Sequence, residues 1–176
     1  MIDAAGEGIP RWLWSRSAEP GQTPMDVGRE RAAREVGGFS YRNAWVVEAD
    51  DQVAAMLLGY PLDDPYEIDD LEELPVPVRP LILLESQAPG SWYVNAIAVR
   101  EPWRRQGIAS RLMAFAEERG RQAGAQAMSG IVAEENQASV GLCRRSGYVV
   151  EARRPVVAFE DFPYAGDWLL FRKPLG

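Results

Sequence analysis

Between Trp92 and Ala123 the hydrophobic period of the chain changes. From Trp92 to Val99 the residues are bulky or β-branched and alternate, with Tyr93, Asn95, Ile97 and Val99 on one face and Trp92, Val94, Ala96 and Ala98 on the other. That is the period-two pattern of a central strand. Ile108, Leu112, Phe115, Ala116, Arg119 and Ala123 then recur at helical spacing, and Gly120 and Gly124 mark where the helix weakens and stops. A strand therefore feeds a helix through the short turn Arg100–Gly107, and the chain reads as mixed α/β.

The rest of the chain carries similar punctuation. Pro10 opens a first helix to about Ser17. Thr23-Pro24-Met25-Asp26 offers a cap, a proline at the first helical position and an acidic first turn, so a second helix should run to about Glu35 before Gly37-Gly38. Asn43–Ala49 and Val53–Tyr60, parted by Asp50-Asp51-Gln52, read as a hairpin. Pro61 to Pro80 holds several prolines and an acidic run, the signature of a long excursion, and Leu81–Glu85 fits helix or strand. Gln126–Ala133 is a further strand, Asn136 caps a helix reaching Ser146, and Tyr148–Val157 with Asp167–Lys173 form a last hairpin.

Composition narrows the chemistry. The 176 residues, 47% of them hydrophobic, suffice for one core, so a single domain spanning 1–176 is expected. No apolar stretch is long enough to cross a bilayer and no signal segment opens the chain, which predicts a cytoplasmic protein with no membrane partner. There is no histidine and Cys143 is the only cysteine, so histidine triads, the usual zinc sites and an intramolecular disulfide are excluded, and no metal is expected. A net charge of −7 argues against nucleic acid as a partner.

The turn Trp103-Arg104-Arg105-Gln106-Gly107-Ile108-Ala109-Ser110 sits where a helix begins, and helix N-termini present unpaired N–H groups and a favourable dipole to an anion. Gly107 allows close backbone approach, Ala109 keeps the site uncrowded, Ser110 adds a hydroxyl, and Arg104 and Arg105 add positive charge. The same residues also suit a plain basic turn entering a helix. They match neither the Walker pattern nor the dinucleotide fingerprint.

Ile97-Ala98-Val99 followed by Arg104-Arg105-Gln106-Gly107-Ile108-Ala109 resembles the acetyl-CoA motif of the GNAT acyltransferase superfamily, whose core pattern is Arg/Gln-x-x-Gly-x-Gly/Ala. A second stretch, Asn136 to Tyr148, is similar to the family's following motif, in which an Asn opens a helix that ends in Gly and an aromatic residue. The resemblance runs from about Ala44 to Leu175 in element order. It implies a splayed central β-sheet flanked by helices, with acetyl-CoA as cosubstrate. Its pantetheine arm would pair with backbone groups of Ile97 and Val99, its pyrophosphate would lie on the N–H groups from Arg105 to Ser110, and Asn136 would approach the arm. The resemblance further implies acetyl transfer to a primary amine by direct attack in a ternary complex. A non-catalytic acyl-CoA-binding module and a protein N-acetyltransferase are the alternatives.

Two departures from the family pattern stand out. Cys143 occupies the place of a tyrosine that can protonate the leaving thiolate, and either proton donation or packing fits a thiol there. Tyr148 is a second, weaker candidate. The family's first edge strand has no counterpart before the first helix, and an exposed strand edge invites pairing with a second copy, hence a homodimer. For the base, Glu85 lies at the end of an apolar segment just before the central strand, where it either borders the cleft or caps a helix in solvent. Trp12, Trp14, Tyr60 and Asn95, with the acidic run, are the candidate surroundings of a small-molecule amine.

Overall fold

In the computed structural model of the chain, all residues except Asp69 and Asp161 are described. Six strands form one sheet in the order β1-β2-β3-β4-β6-β5, and helices flank it. The chain divides into two compact units, Met1–Gly59 with Ala96–Leu112, and Tyr60–Asn95 with Met113–Gly176. No helix among the described residues is long and apolar enough to cross a membrane.

The first unit contains α1 (Ile2–Ala5), α2 (Ile9–Ser17), α3 (Pro24–Ala32), β1 (Ala44–Ala49) and most of β2 (Gln52–Pro61). Thr23 and Asp26 cap α3 reciprocally: Thr23 Oγ1 accepts from the Asp26 amide at 3.3 Å and Asp26 Oδ2 from the Thr23 amide at 3.0 Å. The helix ends at Ala32, sooner than its composition suggests, and Glu35 instead accepts the Tyr41 hydroxyl at 2.7 Å. Asp50 and Asp51 both adopt positive φ, 51° and 57°, and join Ala49 to Gln52 as a tight hairpin turn. Met56, Leu58 and Ala96 form a buried cluster here, covered by Met1, Ile2, Ala5, Phe39, Ala44 and Ala98.

The second unit holds α4 (Arg79–Glu85), the first half of β3 (Trp92–Val99), most of α5 (Ile108–Gln122), β4 (Ala127–Ala133), α6 (Gln137–Arg145), β5 (Val149–Pro155) and β6 (Asp167–Pro174). The segment Leu81–Glu85 is helix, opened by Pro80 and anchored by the fully buried Leu84. β4 runs antiparallel to β6 from Ala127↔Pro174 to Ala133↔Trp168. β3 and β4 are parallel, in register at Trp92↔Met128 and Tyr93↔Ser129. Just beyond, a Cβ on Gly130 would lie 3.2 Å from the Val94 carbonyl oxygen, so the glycine admits a close backbone approach. The buried hydroxyls of Ser91, just before β3, and Ser129 of β4 are 2.6 Å apart and tie the start of β3 to β4.

Register partners share a sheet face, and side chains alternate along a strand. Tyr93, Ser129, Ile131, Ala133 and Trp168 therefore share one face, and α4 packs against β4, β5 and β6. Trp92 and Met128 lie on the opposite face, where a Cβ on Gly120 of α5 would meet both.

Candidate active site

Glu85 ends α4, and its hydrogen-bond partners come from two other segments of the second unit. The Tyr66 hydroxyl, from the acidic excursion, donates to Glu85 Oε2 at 3.0 Å. The Tyr93 hydroxyl, from β3, also hydrogen-bonds the carboxylate. Tyr60, at the end of β2, meets the Tyr93 ring edge-on at 5.7 Å, and its hydroxyl accepts from Asn95 Nδ2 at 3.2 Å. Glu85, Tyr60 and Asn95, singled out separately in the sequence, thus belong to one cluster with Tyr66 and Tyr93.

Burial out of water is the dominant influence on Glu85 and raises its pKa above the ordinary carboxylate value, while the hydrogen bonds from Tyr66 and Tyr93 act in the opposite direction. The three tyrosines respond alike: burial first, then the nearby Glu85 charge, pushes each phenol far above its usual range. They therefore remain neutral hydrogen-bond donors around a carboxylate that takes up a proton more readily than one in water.

Tyr93 and Tyr66 escaped the sequence reading. Tyr93 had a signal, since it shares the alternating face of Asn95. Tyr66 had none, because nothing local distinguishes a tyrosine in a proline-rich acidic segment. Trp14, expected to line an acceptor pocket, is instead buried with its ring where a Cβ on Gly28 would come within 2.6 Å, so it is spent on packing α2 against α3. Trp12 lies on the same helix, stacked beneath the Arg16 guanidinium.

In the first unit, β3 ends at Val99 and a loop leads into α5. Three side chains brace that loop from within: Arg104 Nε donates to the Val99 carbonyl at 3.0 Å, Gln106 Nε2 to the Pro102 carbonyl at 3.1 Å, and Arg111 Nη2 to the Gln106 carbonyl at 3.2 Å. Arg105 and Gly107 both take left-handed backbone, with φ of 61° and 77°. For Arg105 this costs on the order of 1 kcal/mol. Alternating handedness of this kind turns successive N–H groups toward one concavity, and the first amides of α5, those of Ile108, Ala109 and Ser110, have no acceptor within the helix. A Cβ on Gly107 would meet nothing within 4 Å, so the space before those amides is open. Left-handed backbone, open space and helix N–H groups together suit a phosphate-bearing ligand. Arg104 serves the loop more directly than a ligand, since its guanidinium is tied to Val99.

Asn136 caps α6 through its side-chain oxygen, which accepts from the Ser139 amide at 3.0 Å. Cys143, on the same helix, is buried, and burial pushes its thiol up to about 11. It stays protonated at neutral pH but is a weaker acid than a thiol in water. Burial likewise raises the Tyr148 phenol far above its usual range, Lys173 sits over its ring, and among the described residues its hydroxyl has no hydrogen-bond partner. Among the described residues no group of three or more acidic or cysteine side chains is arranged to hold a metal ion.

Residues 9–148 match the model of the acetyltransferase (GNAT) family, and the chain belongs to that family. Solved structures agree on the fold. An acetyltransferase structure shares 18% identity, covers 99% of this chain and 95% of its own, and superposes with a TM-score of 0.64. A ligand-free variant of an agmatine N-acetyltransferase is 18% identical over 77% of each chain, with a TM-score of 0.62. An acetyltransferase from Bacillus subtilis in complex with CoA is 15% identical, over 75% of this chain and 76% of that one, at 0.53. No curated protein matches the chain.

Proposed function

We propose that this protein transfers an acetyl group from acetyl-CoA to the primary amine of a small molecule, by direct attack in a ternary complex, with Glu85 as the general base. The observation that carries the proposal is the partly buried Glu85 carboxylate, its pKa raised and its oxygens held by Tyr66 and Tyr93. An alkyl ammonium cannot attack a carbonyl. Glu85, directly or through water, accepts its proton, and the neutral nitrogen then forms the new N–C bond as the C–S bond breaks. The Tyr66 and Tyr93 hydroxyls keep the carboxylate oriented, and Asn95, bonded to Tyr60, lines the approach.

Acetyl-CoA supplies the thioester carbonyl as electrophile and a thiol as leaving group. The α5 N-terminus, from Arg105 to Ser110, would hold its pyrophosphate through backbone N–H groups, and Ile97, Ala98 and Val99 would pair with its pantetheine arm. Asn136, already the α6 cap, would face the same arm. Cys143, protonated at neutral pH, would give its proton to the departing sulfur and be reprotonated by the proton that the nitrogen sheds as the amide forms. The CoA-bound relative and the agmatine N-acetyltransferase among similar folds favour this cosubstrate and a small amine acceptor. The test is an amine screen with acetyl-CoA, following free CoA and identifying the product by mass. Turnover that is lost in Glu85→Gln supports the assignment, whereas full turnover in that variant refutes Glu85 as the base.

A further inference from the structure

The carboxylate at the centre of the tyrosine cluster has no positive partner within the protein. None of the ion pairs among the described residues includes Glu85. Its surroundings act on it through burial and through the Tyr66 and Tyr93 hydroxyls, with no cation among these influences. The phenols tell the same story: after burial it is Glu85 that acts on each, joined at Tyr66 by Asp63, and no arginine or lysine acts on any of the three. Taking a carboxylate out of water without a counter-ion is unfavourable, and buried acids are as a rule paired. Glu85 is therefore set for a cation that comes from outside the chain.

The cluster is open to such a visitor. Tyr93 is buried, whereas Glu85, Tyr60, Tyr66 and Asn95 are each part-exposed. Asn95 shares a face of β3 with Tyr93, two residues on, and donates Nδ2 to the Tyr60 oxygen at 3.2 Å. Its Oδ1 accepts no hydrogen bond among the described residues and is not sealed from solvent. The Glu85 charge favours this arrangement: it draws the Tyr60 proton toward itself, so the phenol accepts from Asn95 and the amide oxygen is left open. The cluster thus offers an incoming nitrogen a carboxylate and a carbonyl oxygen, and it offers an incoming anion no positive charge.

We propose that the acceptor is an amine with no carboxylate beside its nitrogen, and that the cation-free Glu85 and Asn95 cluster is what excludes α-amino acids. This rests on the acetyl-transfer reading, in which Glu85 takes one ammonium proton before the nitrogen forms its bond to the acetyl carbon and the C–S bond breaks. An α-carboxylate lies one carbon from that nitrogen, so it would enter within about 5 Å of the Glu85 carboxylate. At that separation, and at the effective dielectric of a part-buried site, the two like charges repel strongly enough to disfavour the amino acid on the order of a hundredfold.

The test uses the full-length protein with acetyl-CoA and matched sets of acceptors: isoamylamine, leucinamide and leucine; phenethylamine, phenylalaninamide and phenylalanine; agmatine, argininamide and arginine. Within a set the body is constant and the group beside the nitrogen is a hydrogen, a neutral amide or a carboxylate. CoA release gives kcat/KM, and mass identifies the product. In at least one set the amine should exceed the amino acid on the order of a hundredfold, with the amide nearer to the amine, so that charge and not bulk is refused. Asn95→Asp keeps the shape of the side chain and adds a second negative charge, and it should widen that gap further. A gap below about tenfold in every set that is turned over overturns the proposal and upholds acetyl transfer. So does an amide refused as fully as its amino acid, which makes the exclusion steric, or a gap that Asn95→Asp leaves unchanged. CoA release from none of these compounds above the rate of acetyl-CoA hydrolysis overturns the transfer reading, and the proposal with it.

Discussion

The anion cradle at the start of α5 can be tested by separating the cost of a backbone conformation from the loss of a ligand. Gly107 has φ of 77° and Gly124, beyond the other end of the same helix, has φ of 75°; a Cβ at either would meet nothing within 4 Å. Alanine at either position therefore brings no steric clash with the protein, only the torsional penalty of a left-handed L-residue, about 1–2 kcal/mol. In a protein of this length that corresponds to a fall in Tm of roughly 2–8 °C. Gly107→Ala and Gly124→Ala should show similar losses. They should differ in acetyl-CoA binding, because only at Gly107 does the new methyl group enter the space before the α5 amides. Calorimetric titration with acetyl-CoA should give an affinity at least tenfold weaker in Gly107→Ala, equivalent to about 1.4 kcal/mol, and unchanged in Gly124→Ala. If both variants bind as the wild type does while both lose stability, the phosphate does not lie at Gly107 and the cradle is only a turn.

Glu85→Gln should lower turnover by about 10²–10⁴-fold. It should also stabilise the protein at neutral pH: the folded-state pKa of Glu85 is raised, so its favourable contribution is complete below the unfolded value and is lost as pH rises through the folded one. Denaturant titrations across pH should therefore show the gain of the variant shrinking as pH falls toward the unfolded value of 4.5. Tyr66→Phe removes a hydrogen bond that opposes the upward shift, so the acid limb of the kcat/KM profile should move to higher pH. For Cys143, Cys143→Ala should lower turnover by on the order of 10²-fold with acetyl-CoA affinity retained if the thiol protonates the leaving group; turnover near the wild-type value in both Cys143→Ala and Cys143→Ser, with chemistry rate-limiting, leaves it a packing residue. Ser129→Ala removes the hydroxyl 2.6 Å from Ser91 but leaves Ser91 Oγ donating to the Ala88 carbonyl at 2.7 Å, so urea unfolding should show a loss of only about 0.5–1.5 kcal/mol.

Local sequence determined most of the elements, because their signals are local. The shift from period two to helical spacing at Arg100–Gly107, the Thr23–Asp26 cap and the Asn136 cap each depend on residues within four positions of one another, and the strands and helices formed accordingly. The turn at Gly107 was legible for the same reason: a helix start, a glycine and small neighbours are contiguous. Leu81–Glu85 stayed ambiguous in sequence because a run of four apolar residues satisfies either period, and the burial of Leu84 decided it. Only the tertiary structure could assemble Tyr60, Tyr66, Glu85, Tyr93 and Asn95, which come from two strands, a helix and an irregular segment. It also moved Trp14 into packing, since exposure of an aromatic side chain depends on which helix lies across it. Likewise, Arg154 and Trp168 are fourteen positions apart in the chain and become neighbours only through the register of β5 on β6.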